Sequence, residues 1–171
     1  MKEAAVPGFR LSRSRRSMKF LTSYCLLCLF SALVSAQMLS LSKTGFSVPQ
    51  INEYYRGSTS ATDNELDEMI SSTSGRSFLE LAEVTHIHLF TGSILLFLLC
   101  HLLSLCEIPE KLRITLYTVT FASFLLTFSL PWAIVYGSEL FSLLYLPANV
   151  LLTLSLIALV VIPLREMWGR Q

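Results

Sequence analysis

Four stretches of this chain contain no Lys, Arg, Asp or Glu and consist mostly of apolar residues: 20–41, 84–106, 114–136 and 140–164. Each has about the 20 residues that carry a helix across a bilayer core. Lipid offers the backbone no hydrogen-bond partners, so such stretches satisfy their N–H and C=O groups internally, as helices. They are too long for membrane barrel strands of about ten residues. Composition agrees. The chain is 53% apolar and 15% charged with a mean hydropathy of +0.58, where soluble domains carry about 25% charged residues. The expected fold is an all-α integral membrane protein with four transmembrane helices and a short outer segment between the first two.

Lys and Arg near the ends of the stretches set the expected orientation, because they accumulate on the cytoplasmic side. Lys2, Arg10, Arg13, Arg15, Arg16 and Lys19 precede the first stretch, Lys111 and Arg113 separate the second from the third, and Arg165 and Arg170 follow the fourth. With four crossings all of these fall on one side. Lys43, Arg56 and Arg76 fall on the other, over a much longer segment. The expected layout is a cytoplasmic basic N-terminus 1–19, spans 20–41, 84–106, 114–136 and 140–164, an outer segment 42–83, an inner loop 107–113, an outer turn 137–139 and a cytoplasmic tail 165–171. Trp132, Tyr136, Phe141 and Tyr145 would then mark the outer interface and Trp168 the inner one.

The first stretch also has the parts of a signal peptide: a basic region, an apolar core, then Val34-Ser35-Ala36 as a small-residue cleavage site. Its apolar character continues through Met38, Leu39 and Leu41, which favours a retained helix. Cleavage would leave three spans and an outside N-terminus, with the other helices oriented as before.

The outer segment is too short for a secure core of its own. Within it VPQINEYYRG, Val48 to Gly57, predicts a short helix that starts at Pro49 and stops at Gly57. Its Ile51, Tyr54 and Tyr55 are set to lie on the bilayer surface or on the helix bundle. SATDNELDEMISS, Ser60 to Ser72, predicts a weaker turn or helix opened by Asp63, between flexible joints. Ser77-Phe78-Leu79-Glu80 is a capping box. The second spanning helix is therefore expected to begin near Phe78, about 9 Å above the hydrocarbon edge.

All three histidines, His86, His88 and His101, fall in the second stretch. On a helix His86 and His88 lie about 200° apart, so they cannot chelate one ion without local unwinding. His86 and His101 share a face, about 60° apart and about 22 Å apart along the axis. Histidines at two depths suit a two-haem membrane cytochrome. The other three stretches contain no histidine, so bis-histidine ligation needs a second copy or a partner, with Met38 as another sixth ligand. A metal ion is a further reading. The bland reading puts His86 and His88 in the wet interfacial layer, bonded to helix neighbours or lipid headgroups, with Glu80 and Glu83 as available partners. His101 lies deeper and is expected to face another helix. Proton handling or partner docking also fits the three.

Thr120, Ser123 and Thr127 step by three and four residues along the third span, and Thr91-Gly92-Ser93 is a slim point on the second; both suit close helix packing. Pro131 and Pro147-Ala148-Asn149 can open helix carbonyls near the outer side. With Asn149 at about the depth of His88, they mark the best place for a polar pocket, although packing alone also explains them. Cys25 and Cys28 lack a following His, so CLLC is not a c-type haem attachment signature. With Cys100 and Cys106 they read as small apolar filler. No phosphate loop, nucleophile triad or carboxylate pair occurs in the spans. An enzyme is not expected, nor is nucleic acid as a partner.

The elements YYRG (Tyr54 to Gly57), ELAEVTHIHLF (Glu80 to Phe90) and PLREMWGR (Pro163 to Arg170) together resemble a group of uncharacterised bacterial inner-membrane proteins. These have a first anchor, a periplasmic insert after a YYxG-like element, and a helix opening with HIHLF or HFHLF. Some carry a c-type haem motif in the insert, which implies respiratory or redox work for them. The resemblance covers Gln50 to Trp168, and Tyr54, Tyr55, Gly57, His86, His88, Leu89 and Phe90 carry over as matching positions. Covalent haem does not, because no Cys-x-x-Cys-His lies between Gly57 and Glu80. The implied protein is a small non-enzymatic subunit of the bacterial inner membrane, accessory to electron-transfer machinery and in contact with lipid and respiratory or other membrane subunits. The alternatives are a b-type haem carrier, as a homodimer, and a cofactor-free structural scaffold.

Overall fold

The computed structural model of the chain describes Leu11, residues 14–57 and residues 75–169. Among these the chain forms α1 (Arg16–Thr44), α2 (Val48–Arg56), α3 (Phe78–Ser104), α4 (Glu110–Tyr136) and α5 (Ser142–Gly169), with one 3-10 turn at Glu139–Phe141. Four of them, α1, α3, α4 and α5 with its preceding turn, are long and apolar enough to cross a membrane. The fold is an all-α integral membrane bundle, with no strand among the described residues.

Local chemistry sets the helix ends. The Ser77 hydroxyl accepts from the Glu80 N–H, and the Glu80 carboxylate accepts from the Ser77 N–H at 2.9 Å, so α3 begins at Phe78. Ser47 and Gln50 form a second capping box at the start of α2, which carries Pro49 in its first turn. Gly57 follows α2 at φ 84°, where a side chain would be strained. The spanning helices hold 27 to 29 residues, about 40–44 Å. That exceeds the ~30 Å hydrocarbon core. Each therefore continues into polar flanks such as Arg16, Glu80, Glu110 and Arg165, where helical hydrogen bonding still serves the backbone.

The second outer helix expected at Ser60 to Ser72 lies outside the described residues. The two sides of that segment meet: the Arg76 N–H donates to the Tyr55 carbonyl at 2.8 Å.

The core forms three layers along the bundle. Leu26, Leu99, Leu103, Leu159 and Met167 fill the end where α5 stops. Leu96, Phe124 and Leu152 fill the middle. Ile51, Tyr55, Leu81, Leu130, Ile134 and Tyr145 fill the end capped by α2. The tightest pair is α4 and α5. Thr120 and Ser123 are fully buried, and Thr120, Ser123 and Thr127 return their hydroxyls to their own helix at Leu116, Val119 and Ser123 carbonyls. Small side chains with internally satisfied hydroxyls let helices approach without leaving a polar group in hydrocarbon. Gly92 serves the same end on α3, since a Cβ there would fall 2.5 Å from the Phe124 ring.

The outside of the bundle is apolar. Leu21, Phe90, Phe97, Leu125 and Leu154 are among many large side chains more than half exposed. A surface of that kind is tolerated by lipid and not by water.

Candidate functional site

At the α2 end a cavity of about 420 Å³ lies between α1 and the rest of the bundle. It exists because α1 packs on α5 and on α2, at opposite ends of its own length. At one end Lys19 Nζ donates to the Met167 carbonyl at 2.8 Å, and Trp168 Nε1 donates to Ser23 Oγ at 3.0 Å. At the other end Thr44 and Gly45 lead into α2. Between these anchors α1 stands off the bundle, and only a few of its residues are buried.

The far wall is well held. In α2, an amphipathic helix, Ile51 and Tyr55 face inward and are buried. The Tyr55 hydroxyl donates to the Tyr145 hydroxyl at 3.1 Å, and the rings meet edge to face at 5.6 Å. Arg56 Nη1 donates to the Ile134 carbonyl at 3.0 Å, near the end of α4. Burial, first, and then the neighbouring Tyr145 push the Tyr55 phenol well above its ordinary value, so it stays neutral. Across α3 and α4, Trp132 Nε1 donates to Thr85 Oγ1 at 2.9 Å.

Charged residues form the rim. Arg76 lies 4.5 Å over the Tyr54 ring and pairs with Glu80 at 3.3 Å. Lys43 of α1 stands across from them on the same lining. A second, more polar recess shares Lys43, Tyr54, Arg76 and Glu80 and adds Glu53. Deeper in, the lining includes His88, Thr127, Pro131, Tyr145, Asn149 and Leu152. His88 Nδ1 lies 2.8 Å from the Val84 carbonyl, and its ring stacks on Phe128 at 4.9 Å. A carbonyl only accepts, so Nδ1 carries a proton and Nε2 is left for a further hydrogen bond.

Of the residues singled out in the sequence, Tyr54, Tyr55, His88, Thr127 and Asn149 line this cavity. Gly57 ends α2 beside it. Thr120 and Ser123 lie in the helix contact below. His86 and Met38 are exposed and are not part of the lining, Met38 at 69%. His101 departs from expectation. It is exposed on the outside of the bundle, stacked on Phe97 at 6.2 Å, and does not face another helix. The reason is azimuth: Cys100 and Leu103 of the same turn are buried, and His101 lies on another face of the helix. Glu80 is engaged by Ser77 and Arg76, and His88 by Val84, so Glu80, one of the two carboxylates available to the histidines, is not paired with His88. No three His, Cys, Asp or Glu side chains gather as a metal site among the described residues. Sequence reasoning missed Lys43, Arg76 and the α1 wall. Arg76 four residues before Glu80 was a readable ion-pair signal; the stand-off of α1 had none.

A family model described as a transmembrane helical domain matches residues 45–171. No curated protein and no solved structure matches the chain.

Proposed function

This chain belongs to the Aq_1264_TM family of transmembrane helical domains, and from that premise we propose that it is a small non-enzymatic accessory protein that binds an amphipathic membrane molecule at its α2 end. The observation that carries this reading is the cavity itself: charged at the rim, neutral and polar below, apolar around, and about 420 Å³ in volume. Small-molecule sites fall in the range of roughly 300–1,000 Å³, with apolar walls and a few placed polar groups.

The protein sits in the bacterial inner membrane with both ends cytoplasmic. The distribution of charge supports this. Arg16, Lys19, Lys111, Arg113 and Arg165 flank one end of the bundle, while Lys43, Arg56 and Arg76 flank the α2 end, and the richer side is the inner one. The α2 end then faces the periplasm. The resemblance through Tyr54, Tyr55, Gly57 and His86 to Phe90 supports service beside electron-transfer machinery. A second reading, a b-type haem held between two copies, draws on the outward exposure of His86 and His101, which only another chain could meet.

The test is purification in detergent, followed by release and mass spectrometry of whatever stays bound. One amphipathic molecule per chain is expected, and Val84→Trp, which fills the lining from a half-exposed position, should remove it while leaving the helical content in place. A chain that retains nothing in either form refutes the reading. A Soret band that bleaches in His86→Ala and His101→Ala transfers the function to the haem alternative.

A further inference from the structure

We propose that the cavity receives the uncharged head of an isoprenoid quinone or its quinol, with the tail leaving sideways between α1 and α3. This rests on the binding role above and names the ligand class.

The argument starts from depth. Glu80 is in the first turn of α3 and Lys43 in the last turn of α1, so the charged rim sits where the helices emerge. His88 is about 15 Å along α3 from Phe78, Asn149 about 10 Å along α5 from Ser142, and Thr127 about 14 Å back along α4 from Tyr136. The polar floor thus lies about 7–12 Å below the rim. A headgroup layer is only about 5–8 Å deep on each side of the bilayer. The rim belongs to that layer and the floor to the hydrocarbon.

The floor carries open hydrogen-bonding capacity. Among the described residues the Asn149 side-chain amide has no partner, nor has His88 Nε2. Nearer the rim, one hydroxyl proton of the Tyr55–Tyr145 pair has no acceptor. His88 is exposed and Asn149 half-buried on this lining, so both can meet a ligand, and polar groups set in hydrocarbon favour one that satisfies them. A phospholipid places its phosphate at the rim and its acyl chains against the floor, leaving Asn149 and His88 unmet. A charged head cannot descend to the floor without a compensating charge, and the floor offers none. What fits is a flat, neutral head on an apolar tail. A quinone carbonyl accepts from the Asn149 amide or a tyrosine hydroxyl, and a quinol hydroxyl donates to His88 Nε2. Leu39 of α1 and Val84 of α3 line the cavity, are 55% and 51% exposed, and would flank a tail that leaves between the two helices.

The test uses the full chain in detergent and measures binding of a decyl-substituted benzoquinone and its reduced quinol by calorimetry. Short-chain phosphatidylglycerol and phosphatidylethanolamine are run in parallel. Saturable binding of the quinone and quinol is expected, weakened about tenfold by Asn149→Leu, the scale of one lost hydrogen bond. His88→Phe keeps the stack on Phe128 and should weaken the quinol more than the quinone. Tyr145→Phe removes one hydroxyl alone and serves where Asn149→Leu melts early. Binding of the phospholipids with none of the quinone overturns the quinone assignment and leaves the amphipath-binding role standing. A site that takes up neither, and so holds water, overturns both.

Discussion

The Tyr55 hydroxyl lies 3.1 Å from the Tyr145 hydroxyl, joining the short α2 helix to the first turns of α5 across ninety positions of sequence. Tyr55 is only 8% exposed. Replacing Tyr55 with Phe keeps the edge-to-face ring contact and removes the hydrogen bond, so a loss of about 1 kcal/mol is expected. Replacing it with Ala also empties the ring's volume and should cost about 3–5 kcal/mol. The pH dependence has a definite sign. Burial raises the phenol above its ordinary value of 10.0, so the unfolded chain loses this proton first. Stability is complete below pH 10 and falls above it, by up to about 1.4 kcal/mol per pH unit. Thermal unfolding in detergent between pH 8 and 11 should show a steeper alkaline decline in wild type than in Tyr55→Phe; parallel curves would remove Tyr55 as the cause.

At Gly92, α3 packs directly against the Phe124 side chain of α4. A Cβ there meets the Phe124 ring at 2.5 Å. Phe124 packs edge to face on Phe128 at 5.0 Å, and Phe128 stacks on His88 at 4.9 Å. Gly92→Ala should therefore cost about 1–3 kcal/mol by overpacking and disturb His88, one helical turn away. Phe124→Leu on the same background should recover much of the loss. A double-mutant cycle reads the coupling, and simple additivity would mean that the two positions do not compete for space.

The helical bundle was legible because its cause is crude: four uncharged stretches of the right length admit one answer in lipid. The start of α3 was legible from Ser77 and Glu80, and α2 from Pro49, Tyr54, Tyr55 and Gly57, because caps are local chemistry. Pro131, Asn149 and His88 could be set at one depth by counting residues. Their sharing of one cavity wall with Tyr54 and Tyr55 could not, because azimuth depends on how helices pack, and the near-uniform apolar faces of the spans carry almost no periodic signal. His101 was misjudged for a related reason. Cys100 and Leu103 beside it are buried, so its face and not its depth leaves it exposed.

Arg56 closes the end of α4 through the Ile134 carbonyl at 3.0 Å, a cation placed where the helix dipole is negative. Arg56→Met keeps the stem's packing and loses this bond, and should lower stability by about 1 kcal/mol. It should also raise hydrogen exchange of the amides of α2, since the helix is held by this contact and the tyrosine pair. Unchanged exchange in α2 would show that Tyr55 holds it alone.

The anchors of α1 bear on whether it is retained. Lys19, Phe20 and Ser23 engage Met167 and Trp168 at the far end from the cavity: Phe20 meets the Trp168 ring edge-on at 5.3 Å, and Trp168 donates to Ser23. Cleavage after Ala36 would discard all three and leave Gln37 to Thr44, including the rim residue Lys43, attached by α2 alone. A stub of eight residues is below the length at which an isolated helix holds together, so the cavity would lose its α1 wall. The expected intact mass of the purified protein is therefore that of a chain still carrying α1. Trp168→Ala should loosen α1 from α5 and weaken ligand retention without touching the cavity lining. A mature chain that begins at Gln37 and still binds its ligand would show that α1 is dispensable to the site.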